Sequence, residues 1–191
     1  MSNSPNQSTQ FVPINVLSRL KISPGKNLTG NVRIVRDLAT DIHSSIQQWN
    51  VIHLNGIIIL KNIANIKIDK TYPEELKGLC EDLGKICDES DKIVDNLKLL
   101  ANKMKAISDL YKRTDNLFTT WPVKKFVSTS EKIYQVYQKE AIVKRIISED
   151  MAHDYRDSWK ILHLAAWVHQ TQISDNVKTI LESMLIETKL R

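Results

Sequence analysis

Glycine and proline are scarce, five of each in 191 residues, or about 5% combined where about 12% is usual. Sandwiches, barrels and propellers place a turn signal about every 8–12 residues, and α/β enzymes carry glycine-rich loops after their strands. Neither pattern occurs, so sheet-rich folds are excluded. Long apolar runs are missing too: stretches such as Ile57–Leu60 fall far short of a membrane span, and no apolar h-region of the signal-peptide kind follows Met1-Ser2-Asn3-Ser4-Pro5. An intracellular protein is expected, in which the sequon Asn27-Leu28-Thr29 stays idle. There are two cysteines, Cys80 and Cys87. Seven residues apart on a helix they stand about 10 Å apart along its axis, beyond disulfide reach, and read as small core residues.

The groups that make an active site are also absent. The sequence holds no G-x-x-x-x-G-K-[ST], no G-x-S-x-G and no H-E-x-x-H. Asp150 and His153 are one helical turn apart beside Asp154 and Asp157, but no Cys or second His falls at a matching spacing, so no metal site is expected. His163 and His169 fall on opposed helix faces and read as one packed and one exposed histidine. A non-enzyme without cofactors follows.

What is present is helical periodicity. From Val35 a 3-4 spacing runs through Leu38, Ile42, Ser45, Trp49, Ile52, Gly56, Ile59, Ile63 and Ile66, the mark of a helix with a coiled-coil-like seam. Asn31 offers an N-cap, and Gly56 points to a close approach of another backbone or a local bend. Thr71-Tyr72-Pro73-Glu74 has the form of a capping box with Pro in the first turn, so the chain restarts after a short, antiparallel connection. The second seam runs Leu76, Leu79, Leu83, Ile86, Ser90, Ile93, Leu97, Leu100, Met104, Ile107 and Tyr111, with Cys80, Cys87, Val94 and Ala101 as a flanking stripe. Acids crowd its first half and bases its second, an order that suits the helix dipole and reads as a solvated face.

Thr120-Trp121-Pro122 breaks the pattern. A third helix is expected from Phe126 or the Ser128-x-x-Glu131 capping box, its stripe interrupted by Lys144. Shorter helices follow over about 156–167 and from Ser174 or Asp175. Three of the four tryptophans lie in 121–167. They read as a partner face or as core filler, and both readings stand.

The resulting expectation is an all-α fold: a disordered tail over 1–30, an elongated antiparallel helical hairpin over 31–115, and a packed C-terminal module of three further helices over 116–191. The net charge of +5 arises in the first 72 residues, where bases are spread without interleaved aromatics, so direct nucleic-acid binding is not expected. The tail's Ser23-Pro24-Gly25-Lys26 fits a proline-directed kinase site, making Ser23 a phosphorylation candidate.

Several blocks carry a likeness: Phe118-Thr119-Thr120-Trp121-Pro122, Tyr137-Gln138-Lys139-Glu140, Lys144-Arg145, Ala152-His153, Trp167-Val168-His169-Gln170 and Leu181-Glu182-Ser183-Met184-Leu185-Ile186-Glu187-Thr188. With Trp49 and Asn62-Ile63-Ala64-Asn65-Ile66-Lys67-Ile68 they resemble the cyclin-dependent kinase 2-interacting protein family over about residues 33–191. The chain departs from that pattern after His169-Gln170, with Thr171-Gln172 where the family has Pro-Tyr. The resemblance implies a nuclear adaptor of DNA replication, the cell cycle, the DNA-damage checkpoint and ribosome biogenesis. It implies as partners a cyclin-dependent kinase, an origin-firing kinase, the partner protein of the ATR checkpoint kinase and subunits of an AAA+ ATPase complex. Partner-binding candidates on the matching blocks are Trp121, Pro122, Trp167, His169, Gln170, Leu181, Glu182 and Met184. Arg36-Asp37-Leu38 also matches an R-x-L cyclin-docking pattern, though inside a helix. The competing reading is a structural coiled-coil subunit that mainly self-associates as a homodimer.

Overall fold

The computed structural model describes residues 30–111 and 116–191. Ser23 and the Asn27 sequon, with almost all of the expected tail, lie outside the described residues. Five helices follow in order: α1 (Asn31–Ile66), α2 (Glu74–Leu110), α3 (Val123–Asp150), α4 (Asp157–His169) and α5 (Asp175–Glu187). The fold is all-α, as the glycine and proline shortage required. None of the helices in the described residues is long and apolar enough to cross a membrane.

α2 is the central element. Its seam from Leu76 through Leu83, Ile86, Ser90, Ile93, Leu97 and Leu100 to Met104 is buried, the stripe of Cys87, Val94 and Ala101 is buried beside it with Cys87 donating to the Lys144 carbonyl of α3, and the helix packs on both α1 and α3. One helix with two apolar stripes needs two neighbours. At 37 residues it is about 55 Å long, which makes the molecule elongated. α1, α2 and α3 run up, down and up, and the short helices α4 and α5 cover the outer side of α1 and α3.

The helix starts differ from the expected caps. Gly30, at φ 67°, caps α1, and Asn31 is already its first helical residue; the positive φ costs glycine nothing. Thr71 spends its hydroxyl on Asp69 Oδ1 instead of capping, and α2 starts after Pro73. α3 starts at Val123, earlier than the Ser128 box, directly after Pro122, which holds the extended N-cap position, while Ser128 bonds back to the Lys125 carbonyl.

Two apolar clusters form the core. One gathers α1 from Val35 to Trp49 with α2 from Ile93 to Met104, α3 from Val123 to Ala141, and α5. The other gathers Leu60 and Ile63 of α1 with Leu76 to Cys87 of α2, Ile147 of α3 and Trp167 of α4. Between them lies a polar layer of His53, Ser90, Glu140 and Lys144, all buried. On α1 the buried stripe moves from Trp49 to His53, Gly56, Leu60 and Ile63, leaving Ile52 and Ile59 at its edge. A straight helix drifts by about 20° per heptad from a 3.5-residue seam, and α4 fills the side to which the stripe turns. Gly56 does mark a close approach, but of a side chain rather than a backbone: a Cβ there would lie 2.3 Å from Trp167 Cζ2.

Candidate functional site

The polar layer is built by residues one or two helical turns apart on facing helices. Lys144, which the sequence pattern places as an interruption of α3's apolar stripe, is 1% exposed. Its Nζ donates to His53 Nδ1 at 3.0 Å, stands 3.7 Å from Glu140 Oε1, and lies 4.1 Å from the Trp167 ring centre. An ammonium group has only hydrogens to offer, so His53 must be neutral with its proton on Nε2. The electrostatics agree: burial, then the Lys144 charge, lowers the His53 pKa to about 4. Burial also pulls Lys144 down to about 8 against the attraction of Glu140, and pushes Glu140 above the usual carboxylate range.

This layer also holds the C-terminal helices. The Gln172 N–H donates to Glu140 Oε2, Trp167 Nε1 donates to the His53 carbonyl, and Trp49 Nε1 donates to Gln170 Oε1 at 2.7 Å. Gln170 ends α4 with φ 47°, and the turn that follows is anchored by the Gln172 N–H. A second tie joins the other two blocks. Glu187 of α5 accepts hydrogen bonds from the Thr120 and Trp121 N–H groups and from the Thr120 hydroxyl. Burial alone would raise the Glu187 carboxyl, but these donors together bring it below its ordinary value.

The candidate residues therefore divide. Trp167, Leu181 and Met184 are buried at 0, 8 and 0% exposure and pack within the chain's own helices. Trp121 and Pro122 are half-buried at the α2–α3 connection, with Trp121 packed on Phe126. His169 is exposed, while Gln170 and Glu182 border a groove between α1 and α5. His163 is buried and His169 exposed, in agreement with their opposed faces. Leu38 is buried in α1, which keeps the R-x-L tripeptide in the helix. Among the described residues no group of three potential ligands could hold a metal ion; His153 instead faces Tyr72, whose Oη is 3.3 Å from its Nδ1.

The apolar intervals along the helices do not mark one exposed surface. From Ile42 to Leu60, α1 has no Asp, Glu, Lys or Arg, a stretch of about 27 Å. On its outer side Val51, Leu54 and Ile58 are 60, 59 and 60% exposed. α4 continues the theme, with no such charge from Ile161 to Ser174 and with Ile161 and Leu162 exposed. In a chain that is 26% charged, two charge-free faces on adjoining helices are the signal that could have exposed this surface.

No protein-family model matches the chain. The cyclin-dependent kinase 2-interacting protein of human is 30% identical over 192 residues, covering 84% of this chain and 91% of the relative. The chain belongs to that family. The Xenopus laevis protein of the same name is 29% identical over 87% of this chain and 94% of its own length, and the mouse protein 30% over 84% and 91%. The family-like blocks of the sequence turn out to be joints of the fold: Thr120-Trp121 meets Glu187, and Trp167 and Gln170 meet α1.

The polar layer makes stability depend on pH. His53 has its folded pKa below its unfolded value of 6.5, so the unfolded chain takes up the proton first and stability falls as pH drops through the window from 6.5 to about 4. Between pH 7 and 5 this single group should remove roughly 2 kcal/mol, with Glu140, whose pKa is raised, acting in the opposite sense. Urea unfolding at both pH values measures it: His53→Gln, which keeps an acceptor but does not titrate, should lose less than the parent. Equal losses would mean that His53 is charged or solvated.

Proposed function

We propose that this protein is a non-enzymatic nuclear adaptor that binds a cyclin-dependent kinase through the charge-free outer face of α1. The observation that carries this reading is the stripe of Val51, Leu54 and Ile58, about 60% exposed on a helix whose buried side is already filled. A row of aliphatics at helical spacing, bordered by amides such as Gln47 and Asn55, suits the apolar side of a partner helix. The names of its human and frog relatives support a kinase as partner. The replication, ATR-checkpoint, AAA+ ATPase and ribosome-maturation roles, and nuclear residence, come to this chain through its family and form part of the same proposal.

Pull-down of cyclin-dependent kinase 2 by the full chain tests it. A Leu54→Glu, Ile58→Glu variant should lose at least ten-fold in capture while circular dichroism stays unchanged, since both side chains already face solvent. Undiminished capture would remove α1 from the interface. The alternative, a self-associating structural subunit, has less support, because the seams that would drive it pair α1 with α2 inside one chain. Light scattering separates the two readings: a stable homodimer that the same variant disrupts would favour self-association.

A further inference from the structure

Beside the α1 stripe, and sharing only Gln47 with its border, lies a second feature, a groove between α1 and α5 of about 200 Å3. Its floor is apolar, formed by Ile46, Val177 and Leu181, and its rim carries the amides Gln47, Asn50 and Gln170. That volume takes one large apolar side chain, and amides at the rim suit the backbone of an extended segment. We propose that the chain's own segment Phe11–Leu20 seats in this groove.

Three observations favour this occupant. The segment Phe-Val-Pro-Ile-Asn-Val-Leu-Ser-Arg-Leu has six aliphatic or aromatic residues and a single charge, Arg19, and it is the one apolar stretch among the first 29 residues. The groove lip carries one acid and one base, Glu182 and Lys178, so no net charge opposes it. The reach also fits. Ile46 stands 15 residues beyond Asn31, about 22 Å along α1, and the ten residues from Leu20 to Gly30 span up to about 33 Å. Gly30, at φ 67°, lies outside right-handed helical geometry at the start of α1, where a return path alongside α1 would begin. A tether this short holds it at an effective concentration in the millimolar range, and weak contacts suffice to fill the groove.

Hydrogen–deuterium exchange on the full chain is the test, comparing the parent with Val16→Asp, Leu17→Asp and with the rim variant Asn50→Arg. Both variants should raise exchange at least three-fold in peptides covering 173–181, while α2 peptides, remote from the groove, report an intact fold by staying unchanged. Added peptide of sequence 11–20 should restore protection in the Val16, Leu17 variant. Equal exchange in parent and variants would overturn the proposal. So would groove protection that grows with protein concentration, since the segment would then come from a second copy.

Discussion

Trp167→Ala should lower the free energy of unfolding by about 3–5 kcal/mol, the range for deleting a large buried aromatic. The indole is fully buried, donates from Nε1 to the His53 carbonyl at 3.2 Å, and offers its face to Lys144. Removing it empties the α1–α4 interface, leaves that carbonyl unpaired and takes away the surface that shelters a buried ammonium. The companion substitution reverses an ordinary rule. Gly→Ala inside a helix normally gains about 1 kcal/mol, but a Cβ at Gly56 would meet Trp167 Cζ2 at 2.3 Å and Cε2 at 2.8 Å, with ring atoms that have no flexible end to move aside. Overpacking of this kind costs about 1–3 kcal/mol, so Gly56→Ala should destabilise. Urea titration followed by circular dichroism measures both. A neutral Trp167→Ala together with a stabilising Gly56→Ala would mean that α4 does not dock on α1 in solution.

Glu140→Gln should cost about 3–5 kcal/mol, because removing one partner of a buried pair strands the other charge. Glu140 Oε1 has no hydrogen-bond partner of its own, so its place in the core depends on the Lys144 charge 3.7 Å away. The double variant Glu140→Gln, Lys144→Met should recover most of that loss or exceed the parent, since replacing a whole buried pair is often neutral or stabilising. pH gives a second readout. Lys144 has its folded pKa, about 8, below the unfolded 10.5, so the penalty of burying its charge is complete below pH 8 and fades as pH rises through that window. The deficit of Glu140→Gln relative to the parent should therefore be larger at pH 6 than at pH 9. Additive single and double effects in a mutant cycle, with no pH trend, would show that the two groups do not interact.

Local patterning carried far in the long helices. The α2 seam from Leu76 to Met104 and its flanking stripe were legible apart from Leu79 and Cys80, which are only half-buried, because a helix packed on two sides repeats its apolar positions at a near-constant interval. On α1 the same pattern placed Ile52 and Ile59 in the seam where His53 and Leu60 are buried. That register was set by α4, whose position no interval along α1 records. Lys144 looked like a break in the α3 stripe for the same reason: its partners are His53 of α1, 91 residues away, and Trp167 of α4, and both come near it only after folding.

The sequence by itself determined that this protein is all-α, where its long helices run, that it lacks a recognisable catalytic motif, and which family it resembles. Each of these rests on residues close together along the chain or on the kinds of residue absent from it. Tertiary structure alone decided which of the aromatic and acidic residues are joints and which are surface. Trp167, Met184, Glu140 and Glu187 turned inward, where they bind the chain to itself, while Val51, Leu54 and Ile58 stayed outside. The physical reason is that α1 has more apolar circumference than its neighbours cover, and only the packed arrangement of α2, α3, α4 and α5 settles which side is left facing solvent.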